Sequence, residues 1–221
     1  YSATVAANVG YLQLKPTVPY AGEEIRLGGV VIASGVTTSD IALTSGATTM
    51  PGLLIYSRDK VVWPSSAYFQ TYSIAVTRRA PDFTPFTTYV AAPETVSAPT
   101  PGNYANAGVN GVTSSNVGAI DTALIGRPTT GVDSTAELQA IVDGYVTILG
   151  YANAAAGSAP ATADYAAIGV TQAASLTGTA LTFMNDIVHA KPVAGVSTLT
   201  KLNVLADGVV AVLATAAMQP P

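Results

Sequence analysis

The sequence predicts an α+β protein in two domains: an N-terminal antiparallel β-sandwich or barrel, then a small helical bundle of two repeated helical hairpins. Three observations lead there. Residues 1–100 carry short runs of Val, Ile, Tyr and Phe bounded by Gly, Pro, Ser and Asp, the punctuation of an all-β domain. Residues 101–221 are rich in Ala, with apolar residues at helical spacing. The second half also repeats itself. Segment 111–150 returns as 174–214, with Pro128 recurring as Pro192, 64 residues on. At that offset Ile120 meets Met184, Leu124 meets Val188, Arg127 meets Lys191, Leu138 meets Leu202, and Asp143–Gly144 meets Asp207–Gly208. Upstream, Tyr104, Gly108 and Val109 match Tyr165, Gly169 and Val170 at an offset of 61, so one loop differs in length. A unit used twice points to stacked modules, which serve architecture or binding more often than chemistry.

In chain order, Val9–Leu14, Glu23–Gly35, Asp40–Gly46 and Gly52–Trp63 read as strands, as does Ala67–Arg79. Tyr56–Lys60 reads as a hairpin turn between Leu53–Tyr56 and Val61–Trp63. Along Tyr68–Val76, alternation places Tyr68, Gln70, Tyr72, Ile74 and Val76 on one face. The β domain is expected over 1–92. A stiff linker over 93–103 follows, marked by Pro93, Pro99, Pro101 and Gly102.

The helical domain is expected over 104–221, as repeats of about 104–153 and 162–218. Ser134 and Glu137 form a capping box. The helix they open carries Leu138, Ile141, Val142, Tyr145, Ile148 and Leu149 at i, i+3, i+4, i+7 spacing. Its counterpart carries Leu202, Leu205, Val209, Val212, Leu213 and Ala216. Helices at about 115–125 and 176–190 precede them. Each ends at a basic residue followed by Pro, a cation suited to the helix terminus and a ring that stops it. Neither hairpin buries its stripe alone. Leu138, Tyr145 and Leu149 are therefore expected to pack against Leu202, Val209 and Leu213 of the other repeat.

Of the 221 residues, 49% are hydrophobic and only 10% charged, with a net charge of −4. Thr, Ser, Asn and Gly supply the missing polarity. Such a surface opposes self-association weakly and lacks the basic patch that nucleic acid needs. There is no Cys, hence neither disulfide nor thiolate metal site. No Asn-x-Ser/Thr sequon occurs. The longest apolar run, Val204–Met218, holds Asp207 and falls short of a bilayer span, so no transmembrane segment is expected. A start at Tyr1 is the product expected of a removed leader, another cleavage or trimming.

No catalytic motif emerges. His189 is the single His and reads as a helix-terminal residue. No nucleophile elbow, phosphate loop, dinucleotide fingerprint or calcium loop is present. Catalytic, cofactor and metal residues are therefore expected to be none. Glu23–Glu24 reads as a solvated pair. The conserved pattern of Gly144 and Gly208 in both repeats implies close approach of a neighbouring backbone. Trp63, Tyr68, Phe69 and Tyr72, with Arg78 and Arg79 after them, read as core or interface rings, or as a platform for sugars.

Tyr165–Thr171, Asn116–Leu124 and Asp133–Asp143 resemble the Ala/Val/Thr-rich helical modules of very large bacterial surface adhesins. Ser197–Asn203 is similar to phrases in phage fibre proteins. The resemblance covers residues 104–215 and implies a cell-surface or virion-surface setting without catalysis. The resulting expectation is a non-enzymatic structural subunit that assembles with copies of itself in a fibre, filament, appendage or shell. Tyr1, Ser2, Ala3, Thr4 and Val5 would be an arm adding to a neighbour's sheet. The alternative is a carbohydrate-binding module using Trp63, Tyr68, Tyr72, Arg78 and Arg79 toward surface glycans.

Overall fold

Gly28 and Gly29 both take positive φ, 56° and 84°. Side chains with a Cβ rarely adopt that conformation, and in sequence it makes a two-residue hairpin turn. It joins β3 (Glu24–Leu27) to β4 (Val30–Ile32), paired with Leu27 opposite Val30. The run 23–35 is thus a hairpin rather than one strand. In the computed structural model, residues 1–56 and 69–217 are described. They fall into two compact units, Tyr1–Pro81 and Asp82–Pro221.

The first unit also holds β1 (Ser2–Val5), β2 (Tyr11–Leu12), β5 (Ile41–Ala42), β6 (Thr48–Thr49), β7 (Gly52–Tyr56), β8 (Phe69–Ser73) and β9 (Ala75–Arg78). Its strands form three small sheets in the orders β1-β9-β6, β2-β5 and β4-β3-β7-β8. No closed barrel is formed among the described residues. The expected antiparallel pairing holds except at β1, which runs parallel to β9. The expected turn at 57–60 and the strand 61–63 lie outside the described residues. Among those described, β7 pairs antiparallel with β8. The single face expected over Tyr68–Val76 is broken at Ile74, where the chain leaves one sheet for another. Among the described residues of this unit, the buried hydrophobics are Ala7, Ile25, Leu43, Leu53 and Val76.

The second unit contains α1 (Thr84–Ala91), α2 (Pro101–Asn106), α3 (Val117–Thr122), α4 (Thr135–Tyr151), α5 (Thr162–Ile168), α6 (Thr179–Ala190) and α7 (Leu199–Ala217). Short 3-10 turns at Thr129–Gly131 and Val193–Gly195 follow the two expected prolines. One continuous core runs from Phe86 to Val209.

Two boundaries move. Residues 93–103 are not an interdomain linker, and 82–92 do not belong with the strands. The division lies at Pro81/Asp82, because Phe86, Tyr89 and Val90 of α1 enter the helical core. Phe86 meets Tyr104 edge-on, ring centres 4.8 Å apart. The Pro-rich stretch is the opening of the first repeat. Ser97, Ala98 and Pro99 recur as Ser158, Ala159 and Pro160, 61 residues on, and both prolines are buried. Each repeat is therefore three helices, not a hairpin: α2-α3-α4 and α5-α6-α7. The backbone N–H of Thr100 donates to Asn103 Oδ1 at 2.8 Å, and that of Ala161 to Asp164 Oδ2 at 2.7 Å. Both helices end at a left-handed glycine, Gly108 (φ 86°) and Gly169 (φ 91°). After each, the N–H of Val109 or Val170 returns to the carbonyl of Tyr104 or Tyr165, both at 2.9 Å.

The packing residues are as expected, but their partner differs. Leu138, Tyr145, Leu202 and Val209 are buried, and Leu149 and Leu213 lie against the core. The main cover of α4 is α5, while α7 lies against α6 and α3. The two long helices do not pack stripe against stripe as each other's principal partner. A short helix can cross closely because α4 carries Gly144. A Cβ there would stand 2.7 Å from the Asp164 carbonyl oxygen and 3.0 Å from Ile168.

Candidate functional site

Register brings Glu24, Tyr56 and Phe69 side by side across β3, β7 and β8. Neighbouring residues in line on adjacent strands share a face of the sheet. Two residues along β3, Arg26 shares that face. Its guanidinium stands 5.3 Å from the Tyr56 ring centre, a cation–π distance. Its Nε donates to Glu24 Oε1, and that bond raises the Arg26 pKa. The Tyr56 and Phe69 rings lie 5.5 Å apart, tilted by 43°. Phe69 is 37% exposed. This patch of Glu24, Arg26, Tyr56 and Phe69 is the candidate ligand surface of the strand unit.

It is not the expected group. Trp63 and Tyr68 lie outside the described residues. Tyr72 is three residues from Phe69 and so points to the opposite face, in line with Leu53. Arg78 is held in another sheet, where its Nε donates to the Ala7 carbonyl at 2.8 Å and Nη1 to that of Leu43 at 3.1 Å. It ties backbone rather than facing a ligand. Arg79 is exposed, and its N–H donates to the Val5 carbonyl. The signal for Arg26 was present in the sequence as Glu-x-Arg on one strand face, but nothing local to β3 reveals that Tyr56 lies beside it. Glu23 accepts from the Tyr20 N–H at 3.3 Å within a turn, and Glu24 is paired with Arg26.

The expected arm is a strand, but it adds to its own sheet. Ser2 to Val5 align with Ala75 to Arg78, and the Tyr1 nitrogen donates to the Ser73 carbonyl at 2.8 Å. Among the described residues it is an edge strand of the sheet β1-β9-β6.

In the helical unit the repeats share a buried polar pair. Tyr104 Oη donates to Asp121 Oδ1, and Tyr165 Oη donates to Asn185 Oδ1, both at 2.7 Å. Asn185 also donates to the Pro160 carbonyl at 2.9 Å. Burial lifts the Asp121 carboxyl to about 6, against the opposing effect of the Tyr104 hydrogen bond. Burial likewise raises both tyrosines. Tyr104 and Tyr165 are wholly buried, so the pairs are internal struts that no substrate reaches. Pairing Asp121 with Asn185 is legible at the repeat offset; their burial partners are not.

His189 stacks on Tyr151, ring centres 4.6 Å apart. Its Nδ1 donates to the Tyr151 carbonyl at 3.1 Å, since a carbonyl can only accept. The chain after α4 returns the contact: the N–H groups of Asn153 and Ala154 donate to the carbonyls of Lys191 and His189, both at 2.7 Å. These bonds satisfy carbonyls at the end of α6. In the first repeat Arg127 does the equivalent work. Its Nε donates to the Ala123 carbonyl at 2.6 Å and its Nη2 to that of Ala167, across the repeat boundary. Among the described residues no group of three or more His, Asp or Glu is placed to hold a metal ion.

Gly208 departs from its counterpart. Gly144 receives α5, whereas a Cβ on Gly208 would meet nothing within 4 Å. Its helix holds an 18-residue stretch, Leu199–Ala216, of mean hydropathy 1.5, long and apolar enough to cross a bilayer. In this fold Leu202, Ala206 and Val209 of that stretch are buried in the core. No protein-family model, curated protein or solved structure matches the chain.

Proposed function

We propose that the protein is a non-enzymatic structural subunit that assembles with copies of itself at a cell or virion surface. The observation that carries this is the large exposed apolar surface, beside few buried side chains, among the described residues of the strand unit. Among the described residues of Tyr1–Pro81, five hydrophobic side chains are buried. Tyr1, Tyr11, Tyr20, Val30, Val31, Val36, Met50 and Phe69 stand exposed. A domain of this size needs a substantial buried core or an external cover. Neighbouring subunits are such a cover, and a 10% charged composition opposes them little. The edge strand β1 offers a second contact. In this reading the three small sheets become faces of a sandwich that closes within the assembly.

Light scattering and negative-stain imaging of native material test it. The expected result is a regular species far heavier than 22.3 kDa. A stable monomer at high concentration would refute it.

Glycan binding is the second reading, favoured by the exposed Phe69 beside Tyr56 and Arg26. Aromatic faces stack on sugar rings, although Arg26 already covers one side of Tyr56. A glycan array separates the two readings: binding lost in Phe69→Ala, with assembly unchanged, supports the platform.

A further inference from the structure

We infer that the outer face of α7 is an interface with a second copy of this chain, formed by two α7 helices crossing antiparallel at Gly208. This rests on the self-assembly reading and names the surface and partner.

The duplication provides the first half of the argument. Ile141, Gly144, Ile148 and Ala152 of the first repeat are buried, three of them at 1% exposure or less. Their counterparts 64 residues on are Leu205, Gly208, Val212 and Ala216. They keep apolar or small character, yet Leu205 is half-buried and the other three are exposed. In the first repeat a helix lies across this face with its backbone against the glycine. The same surface is therefore built twice and covered once.

The two helices that the repeat would place on this face are already engaged. A second copy cannot offer α5, which already lies on α4. It cannot offer α2, whose Ala107, the counterpart of Ile168, is fully buried. A second copy does carry the same open face of α7, with Val204, Gly208 and Val212 exposed.

That helix is self-complementary. Thr200, Val204, Gly208, Val212 and Ala216 form one i±4 ridge, all exposed and all uncharged. Val204 and Val212 are 66% and 55% exposed and stand one step of the ridge to either side of Gly208. A twofold axis through Gly208 sets Val204 of one copy against Val212 of the other. Ridges of this kind interdigitate in the commonest helix crossing, and glycine at the crossing lets the backbones approach. A shallow groove lined by Lys191, Gly195, Thr200, Lys201, Val204 and Leu205 continues the face toward the start of α7.

The chain has no Cys, so one introduced thiol reports position cleanly. Gly208→Cys is made in the full chain, with Ala214→Cys, exposed on another side of the helix, as control. Under mild oxidation the first should give a disulfide-linked dimer, since an axis at 208 brings its two copies within bridging distance, and the second should not. Independently, Val204→Glu/Val212→Glu should lower the mass of the species by about a factor of two with unchanged circular dichroism. Equal cross-linking at both positions, or unchanged mass in the double variant, overturns the α7 interface while native assembly stands. A monomeric native chain overturns the interface and the assembly together. Vesicle binding by the native chain that the double variant abolishes, without any dimer, overturns it in favour of a lipid surface.

Discussion

Asp121 is the residue whose chemistry most exceeds its place in the sequence. It is 7% exposed, and burial holds its proton until about pH 6 in the folded chain. The unfolded chain releases that proton near the ordinary value of 3.8. Its contribution to stability is thus complete below about pH 4, falls as pH rises through about 6, and is flat above. A rise of this size corresponds to about 3 kcal/mol. The second repeat places Asn185 in the same role. Asp121→Asn should keep the Tyr104 bond and remove this dependence. Urea denaturation at pH 4 and pH 7.5 should show the variant gaining on the native chain only at the higher pH. A gain of equal size at both values would show that Asp121 is ionised in the fold. His189→Ala removes one hydrogen bond and a ring contact at the junction of α4 and α6. It should cost about 1 kcal/mol in a thermal melt and leave assembly intact.

At the scale of the element, equivalent positions in the two repeats now carry opposite predictions. Gly144→Ala drives a methyl into the Asp164 carbonyl and should destabilise by about 1–3 kcal/mol. Gly208→Ala meets nothing in the subunit and should add up to about 1 kcal/mol through helix propensity. Both are read by denaturation at concentrations where the chain is monomeric. Stabilisation by Gly144→Ala equal to that by Gly208→Ala would mean that α5 does not lie on Gly144. Leu138 and Leu202 are fully buried, and truncating either to Ala should cost roughly 2–5 kcal/mol. Much of this level was legible. Ser134 caps α4, with the Glu137 N–H donating to Ser134 Oγ at 3.3 Å, while Glu137 Oε2 accepts from the Ser134 hydroxyl at 2.7 Å rather than from the backbone as in the expected box, and the prolines precede the 3-10 turns. The first helix of each repeat was hidden. α2 and α5 are too short to display a stripe, and Pro99 and Pro101 look like a linker until aligned with Pro160 and Thr162.

For the whole molecule, the unit boundary is the sharpest test. A fragment comprising Asp82–Pro221 retains α1 and the complete core. It should give a helical spectrum and a cooperative melt alone. A fragment beginning at Tyr104 loses Phe86, Tyr89 and Val90 from that core, together with the buried Pro99, and should not melt cooperatively. Equal melts would place α1 outside the folding unit.

What the sequence determined by itself is whatever depends on neighbours along the chain. The α+β class, the duplication and the stripes of α4 and α7 follow from local periodicity and capping, whereas the Gly28–Gly29 turn sits inside a run that reads as one strand. The tertiary structure decided the matters that depend on partners distant in sequence. It turned the Tyr1–Val5 arm onto β9, set Tyr56 between Glu24 and Phe69, and locked Arg78 to Ala7 and Leu43. It also covered Gly144 and left Gly208 bare. Two identical dipeptides differ there only in what lies across from them, and a helix stripe specifies that it must be buried without specifying against what.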